Sequence, residues 1–269
     1  MARQHHRSDP RILNRRTLAQ DHKHLAGLLR PGMKVLDVGC GTGAITADIA
    51  ALVGPAGEVL GIDRDSSLIA LARCSHSSIP HLTFEVMDVL SLGNGRHYDL
   101  VTSARTLQWI SEPGNAVRKM VQCLVQHGTI AVLDYDHEAA SWTPSAPPEF
   151  MIFYSAFLEW RASNHWMNDV AEHLGDMLGE AGVTNVQVLS ADHRICRGDD
   201  AFEERASIWA SVIETLGSVI QAAGFLSEAD LQKARDSYLK FVKSGLEVHT
   251  MKCAKQLVSA HRTLWRHDK

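Results

Sequence analysis

Short apolar runs alternate with helical stripes through the first half of the chain. Lys34–Val38 carries Val35, Leu36 and Val38 and runs into Gly39-Cys40-Gly41-Thr42-Gly43. Ala44, Ile45, Ile49, Leu52 and Val53 then recur at helical spacing until Gly54-Pro55-Ala56-Gly57 stops the helix. Glu58–Ile62 reads as a second strand ending in Asp63, and Ser66 as the cap of a helix carrying Leu68, Ile69, Leu71 and Ala72. Leu82–Val86 is a third strand ending near Asp88, and Tyr98–Thr102 a fourth. Val117, Met120, Val121, Leu124 and Val125 form a further helical stripe before a fifth strand at Thr129–Leu133. Strands alternating with helices predict a parallel sheet covered on both faces.

The second half changes character. Phe150, Phe153, Tyr154, Phe157, Leu158 and Arg161 recur every three to four residues, which predicts a helix over 145–162. A further helix is expected over about 168–180, a sixth strand at Val183–Leu189, and one long helix carrying Phe202 to Ile220 behind Asp199 or Asp200. Ser227-Glu228-Ala229-Asp230 resembles a capping box for a helix through Val242, and Met251–Ala260 reads as a closing strand. Near the N-terminus, Ile12, Leu13, Leu18, Leu25 and Leu28 suggest an amphipathic helix.

Composition narrows the class. With 269 residues, 45% hydrophobic and 22% charged, the chain has the make-up of a globular protein. No apolar stretch reaches the ~20 residues of a membrane helix. The opening Met1–Pro10 is polar, so the expectation is a cytoplasmic protein without a membrane span. Cys40, Cys74, Cys123, Cys196 and Cys253 are widely spaced and form neither a CxxC pair nor a disulfide framework. Charge is uneven. Residues 1–34 hold eight Lys/Arg against two Asp/Glu, and residues 252–269 hold five against one. Aromatics are scarce at 6%, yet six lie within residues 150–166. That stripe reads first as packing against the sheet, with a roof over the site as the alternative.

The chemistry concentrates at Val35–Gly43, where a strand feeds a glycine-rich turn that feeds a helix. Glycines allow the tight turn and the approach of a ligand to the backbone, and the helix N-terminus adds unpaired N–H groups. Gly39-x-Gly41-x-x-Ala44 formally passes as a dinucleotide fingerprint, a weak match taken alone. S-adenosylmethionine suits the residues better. Asp37 inside the strand would sit poorly beside a pyrophosphate, but suits a ligand with an amino group and a sulfonium. Asp63 can accept both ribose hydroxyls, a feature shared with dinucleotide sites that does not discriminate. Asp88 can accept from the adenine amine, with Met87 or Val89 on the ring. All lie just past strand ends, where open α/β sheets bind ligands.

With these residues in view, the sequence resembles the class I S-adenosylmethionine-dependent methyltransferases. Val35–Gly43 is similar to their first motif, Gly61-Ile62-Asp63 to the acidic end of their second strand, and Met87-Asp88-Val89 to their adenine motif. Tyr98–Ser103 with Leu107–Ile110 resembles the fourth-strand motif of the small-molecule enzymes of the ubiquinone/menaquinone-biosynthesis type. The resemblance implies a Rossmann-like, seven-stranded, mostly parallel sheet with helices on both faces and helical lid insertions. It implies one domain over 1–269, with residues 30–135 as cofactor-binding core and segments 1–29, 142–180 and 199–245 as helical cover. Gly39, Cys40 and Gly41 would approach the methionine and ribose, and Asp37 the amino end. Asp63 would hold the ribose, Arg64 would lie beside the adenine, Asp88 would bind its amine, and Ser103 would lie near the methionine portion.

Transfer from a sulfonium needs mainly alignment, and a base only where the nucleophile must lose a proton. Asp134, Tyr135 and His137 follow strand five and are candidates by location. His137 is carried as the catalytic candidate, with an exposed loop histidine as the plainer reading. Arg105, Trp109, Tyr135 and Tyr154 are the substrate-contact candidates, against a solvated arginine and core aromatics. Some relatives carry Asn-Pro-Pro-Tyr-like residues after strand four; here the segment is Ser103-Ala104-Arg105-Thr106, which argues against DNA as substrate. The expected reaction is in-line methyl transfer to a small organic molecule, releasing S-adenosylhomocysteine and using no metal. An RNA or protein methyltransferase, prompted by the basic termini, and a non-catalytic cofactor-binding protein stay open, as do the acceptor atom and the oligomeric state.

Overall fold

The computed structural model describes residues 9–93, 95, 97–251 and 256–260. Three short helices open it: α1 (Pro10–Leu13), α2 (Leu18–Asp21) and α3 (Lys23–Ala26). Asp9 caps α1 by accepting from the Arg11 N–H, and Thr17 caps α2 by accepting from the Gln20 N–H. The one amphipathic helix expected here is therefore interrupted, at the turn after Leu13 and at His22, whose backbone is not helical.

β1 (Lys34–Val38) enters the glycine turn, and α4 (Ala44–Val53) leaves it. Gly43 and Gly54, which bracket α4, both have positive φ (78° and 70°), a conformation that glycine adopts at little cost. β2 (Glu58–Asp63), α5 (Ser66–Ser75) and β3 (Leu82–Val86) follow. The cap of α5 is Asp65, not Ser66. The Asp65 carboxylate accepts from the N–H groups of Ser67 and Leu68, and Ser66 is the first helical residue. Next come β4 (Tyr98–Ala104), α6 (Pro113–Gln122) and β5 (Leu124–Leu133). Leu124 and Val125, expected on the stripe of α6, begin β5 instead, because the helix closes at Cys123 and Leu124 pairs with Tyr98.

The second half holds β6 (Ser141–Thr143), α7 (Pro148–Ser163), α8 (Val170–Glu180), β7 (Val186–Leu189) and β8 (His193–Cys196). It continues with α9 (Phe202–Ala206), α10 (Ile208–Ala222), α11 (Glu228–Ser244), β9 (Val248–Met251) and β10 (Gln256–Ala260). The long helix expected behind Asp199 or Asp200 is divided at Ser207 into α9 and α10. Ser227 caps α11 as its motif predicts, accepting from the Asp230 N–H at 3.1 Å. The closing strand expected over 251–260 is two strands of different sheets, and residues 252–255 lie outside the described residues.

The main sheet has the order β3-β2-β1-β4-β5-β10-β7 among the described residues. The first five strands are mutually parallel, and β10 runs antiparallel to both β5 and β7. This is the Rossmann-like α/β arrangement, with parallelism confined to five adjacent strands and broken at β10. α4 packs on β2, α5 on β2 and β3, α6 on β5, and α8 on α6 and β7. A second sheet has the order β6-β9-β8, all antiparallel.

The chain divides into two compact units. One contains residues up to Asp134, with 170–190 and β10; the other contains 135–169 and 191–251. Of the segment 142–180, α8 thus belongs with the main sheet. In the first unit Leu25, Val35, Ile49, Val53, Val59, Ile69 and Leu100 form an apolar core that excludes solvent. Each such side chain contributes about 1.5–3 kcal/mol relative to exposure. In the second unit the aromatic stripe of α7 packs against α10 and α11. Phe150 lies 4.3 Å from Tyr238 between ring centroids, and Tyr154 lies 4.9 Å edge-on from Trp209.

Candidate functional site

Strand register assembles the site at one edge of the parallel sheet. Val38 pairs with Ile62 and with Ser103, and Asp63 pairs with Val86. The residues that follow β1, β2 and β3 therefore emerge side by side. The N–H groups of Gly39 and Cys40 both donate to the Ile62 carbonyl, which folds the turn back over β2. Gly39, Gly41 and Gly43 have φ of 76°, 56° and 78°. Close contacts add to that requirement. A Cβ on Gly39 would collide with the Thr106 side chain, one on Gly43 would lie 2.5 Å from Phe84, and one on Gly41 would lie 2.9 Å from Leu13.

Two carboxylates frame this turn. Asp63 accepts from the Gly41 N–H at 3.0 Å and from the Asp65 N–H at 2.9 Å. Burial raises its pKa, against those two hydrogen bonds. Asp37 is 5% exposed and accepts from the Thr46 hydroxyl at 2.7 Å. Burial pushes its pKa up to about 6, with the Thr46 hydrogen bond opposing and the charge of Asp63 adding. Burial and both carboxylates hold the Cys40 thiol well above its usual range, so it stays protonated and is no nucleophile.

The other cofactor candidates are distributed along the same edge. Arg64 is exposed. Met87 is half-buried, and its N–H donates to the Asp63 carbonyl at 3.0 Å. Asp88 is exposed and caps the turn Val89–Ser91 through the Leu90 N–H, while Val89 is buried. Ser103 is fully buried and its hydroxyl donates to the Val38 carbonyl at 3.0 Å. Its hydroxyl therefore braces β1 against β4.

The substrate and base candidates fall into both units. Arg105 is neither solvated nor open. It lies at the end of β4 with φ of 58°, and its guanidinium reaches Asp21, donating to the carbonyl at 3.1 Å and approaching Oδ1 at 3.3 Å. Trp109 is half-buried in a short 3₁₀ turn. Asp134 is fully buried and accepts from the Gln108 N–H at 3.2 Å. In the second unit His137 is 4% exposed, not on an open loop, and is enclosed by the rings of Tyr135, Phe157 and Trp209. Burial, with the Arg161 charge adding, lowers its pKa well below the usual value, so the imidazole is neutral. The buried Tyr154 hydroxyl donates to the His137 carbonyl, and burial raises its pKa.

Thr46, Thr106, Leu13, Asp21 and His22 also shape the site and carry no motif. Thr46 alone has a local signal, a hydroxyl in the first turn of the helix that follows the glycines. No group of His, Cys, Asp or Glu among the described residues is arranged to hold a metal ion. No described helix is long and apolar enough to cross a membrane.

Comparison with known proteins agrees with this geometry. A family model described as a methyltransferase domain matches residues 29–175, more than half of the chain. The chain is 33% identical over 124 residues to a trans-aconitate 2-methyltransferase of Deinococcus radiodurans, covering 45% of this chain and 46% of that protein. It is 32% identical over 111 residues to a ubiquinone/menaquinone biosynthesis C-methyltransferase of Ectopseudomonas mendocina, covering 40% and 43%. The chain thus spans less than half the length of these curated relatives. A Haemonchus contortus phosphoethanolamine N-methyltransferase, solved with phosphomonomethylethanolamine and S-adenosylhomocysteine, shares the fold. Its TM-score is 0.55 at 15% identity, over 89% of this chain and 53% of that one.

Proposed function

The chain belongs to the methyltransferase-domain family, and from that footing we propose that it binds S-adenosylmethionine at the glycine turn and methylates a small organic molecule. The half-buried Asp63 suits any ribose-bearing ligand, so the observation that carries this reading is the buried Asp37 carboxylate beside the turn. A pyrophosphate would meet like charge there, whereas an ammonium and a sulfonium meet opposite charge. The left-handed glycines present backbone without a Cβ at the turn, and the buried carboxylate beside it suits a cationic group, so the residues fit such a ligand.

Gly39, Cys40 and Gly41 would hold the methionine and ribose through backbone, Asp37 would face the amino end, and Ser103 would bound that end of the cradle. Asp63 would accept from the ribose, Asp88 from the adenine amine, and Met87 and Val89 would pack on the ring beside Arg64. Bound there, S-adenosylmethionine would supply a methyl group already activated on a sulfonium. The protein then contributes alignment and exclusion of water. His137 is the base candidate of this reading by its place just past β5; burial and the Arg161 charge keep its imidazole neutral and lower its proton affinity. Trp109, Tyr135 and Tyr154 are its substrate contacts.

The small-molecule preference draws on the relatives, which include enzymes of trans-aconitate and of ubiquinone/menaquinone biosynthesis. Methyl-labelled S-adenosylmethionine, incubated with the protein and a cell extract, tests it. Label in low-molecular-weight organic products supports the proposal. Label confined to RNA or protein would replace it with the polymer reading, and binding without label in any fraction would favour a non-catalytic cofactor-binding protein.

A further inference from the structure

Arg105 stood as a substrate candidate because it follows β4 at the ligand edge of the sheet. Its side chain turns elsewhere. The guanidinium is 1% exposed and reaches the carbonyl and the carboxylate of Asp21, 84 residues earlier. Asp21 uses its other carboxylate oxygen to accept from the Thr17 N–H at 3.0 Å, which closes α2 on itself. The start of α2 is tied down separately, by the Leu18 N–H donating to Asp48 of α4 at 2.8 Å. Next to Asp21, the buried His22 shares a 2.9 Å hydrogen bond between its Nε2 and the Thr102 hydroxyl on β4. Thr102 donates its own proton to the Ala131 carbonyl, so His22 is the donor.

The segment 17–22 is thus tied to β4 at its far end and to α4 at its near end. What precedes it is held differently. α1 has no buried residue, and its Leu13 lies against Gly41 so closely that a Cβ there would be 2.9 Å away. The backbone at Arg105 has φ of 58°, a strained conformation for a non-glycine residue that persists where surrounding contacts enforce it.

We propose that Arg105 is a positioning residue. Through Asp21 it holds the segment 9–22 in place, so that Leu13 covers Gly41 and the arm closes one side of the cofactor cradle. With Leu13 against Gly41, a ligand at the turn would have to pass it to leave, and the Arg105–Asp21 pair would govern how long the cofactor stays. This inference rests on the glycine turn being the cofactor site.

The test measures the dissociation rate of S-adenosylhomocysteine by stopped flow, and the ligand-free melting temperature, in the full chain. Asp21→Asn removes the charge and keeps the carbonyl acceptor. Leu13→Ala removes the cover without touching a buried residue. Each should speed dissociation about tenfold, the equivalent of one weakened contact. Asp21→Glu should restore the slower rate, and Leu13→Ala should leave the melting temperature within about 2 °C. Ile69→Val, a core change in α5, should lower the melting temperature with the rate unaltered. An unchanged rate in Asp21→Asn, with the wild type binding normally, would overturn the positioning role whatever Leu13→Ala does. A wild type that binds no S-adenosylhomocysteine would instead overturn the cofactor reading, and the latch with it.

Discussion

The Thr46 hydroxyl, in the first turn of α4, donates to the buried Asp37 carboxylate of β1 at 2.7 Å. This bond spans the glycine turn and joins the strand that enters it to the helix that leaves it. It is also the largest influence that opposes burial at Asp37, whose pKa nonetheless stands at about 6.

A pH dependence follows. A ligand with a cationic end prefers Asp37 ionised, so protonation should oppose binding as pH falls through about 6. Affinity for S-adenosylmethionine should be about tenfold weaker at pH 5 than at pH 7, and Asp37→Asn should bind weakly and without that slope. Fold stability moves the other way. The raised carboxyl stabilises the fold fully below its unfolded pKa, and that contribution is lost as pH rises through about 6. Calorimetric titrations across this range, with melting curves alongside, check both signs.

Asp63 should matter more than any other single side chain for the ribose. Asp63→Ala deletes the acceptor of the Gly41 N–H and, in the proposed site, the acceptor of two ribose hydroxyls. At about 1.5–3 kcal/mol per hydrogen bond to a charged group, affinity should fall about a hundredfold or more. Binding of S-adenosylhomocysteine within a few-fold of wild type would remove Asp63 from the site.

The glycines separate strain from crowding. Gly54 has φ of 70° with nothing within 4 Å of a would-be Cβ, whereas Gly39 has φ of 76° and Thr106 in the way. Gly54 has ψ of 176°, a region essentially restricted to glycine, so Gly54→Ala should cost about 1–3 kcal/mol through backbone strain alone. Gly39→Ala should cost more and should also abolish cofactor binding. Equal losses of melting temperature in the two variants would contradict the crowding.

The aromatic unit should weaken in acid. His249 is buried, stacks on Trp142 at 5.0 Å, donates from Nδ1 to the Ser141 carbonyl and accepts from the Trp209 indole at 3.3 Å. Burial lowers its pKa to about 4, with the Ser141 hydrogen bond opposing. A depressed histidine binds fewer protons folded than unfolded, so stability is lost as pH falls from about 6.5 toward 4, by roughly 3 kcal/mol. Tryptophan fluorescence during urea unfolding should report this loss, and His249→Phe should flatten it.

The glycine turn and the strand ends around it were legible because they are local. Gly43 and Gly54 mark both ends of α4, and Asp37, Asp63 and Asp88 each sit at a strand end that its own apolar run announces. Reading failed where apolar spacing fits two elements. Leu124 and Val125 continue the stripe of α6, yet pairing of Leu124 with Tyr98 makes them strand. It failed again where contacts are distant. Ser141–Thr143 pairs with Val248–Thr250, and Arg105 meets Asp21, and no local pattern announces either. Asp65 in place of Ser66 as a cap is a choice between adjacent residues of similar propensity.

Isothermal titration of the wild-type chain with S-adenosylhomocysteine, repeated in the presence of excess NAD, tests the central claim most directly. The account predicts saturable binding of one ligand per chain that NAD leaves unaltered, because the buried Asp37 disfavours a pyrophosphate at the turn. No heat at millimolar ligand, or displacement by NAD, would contradict it.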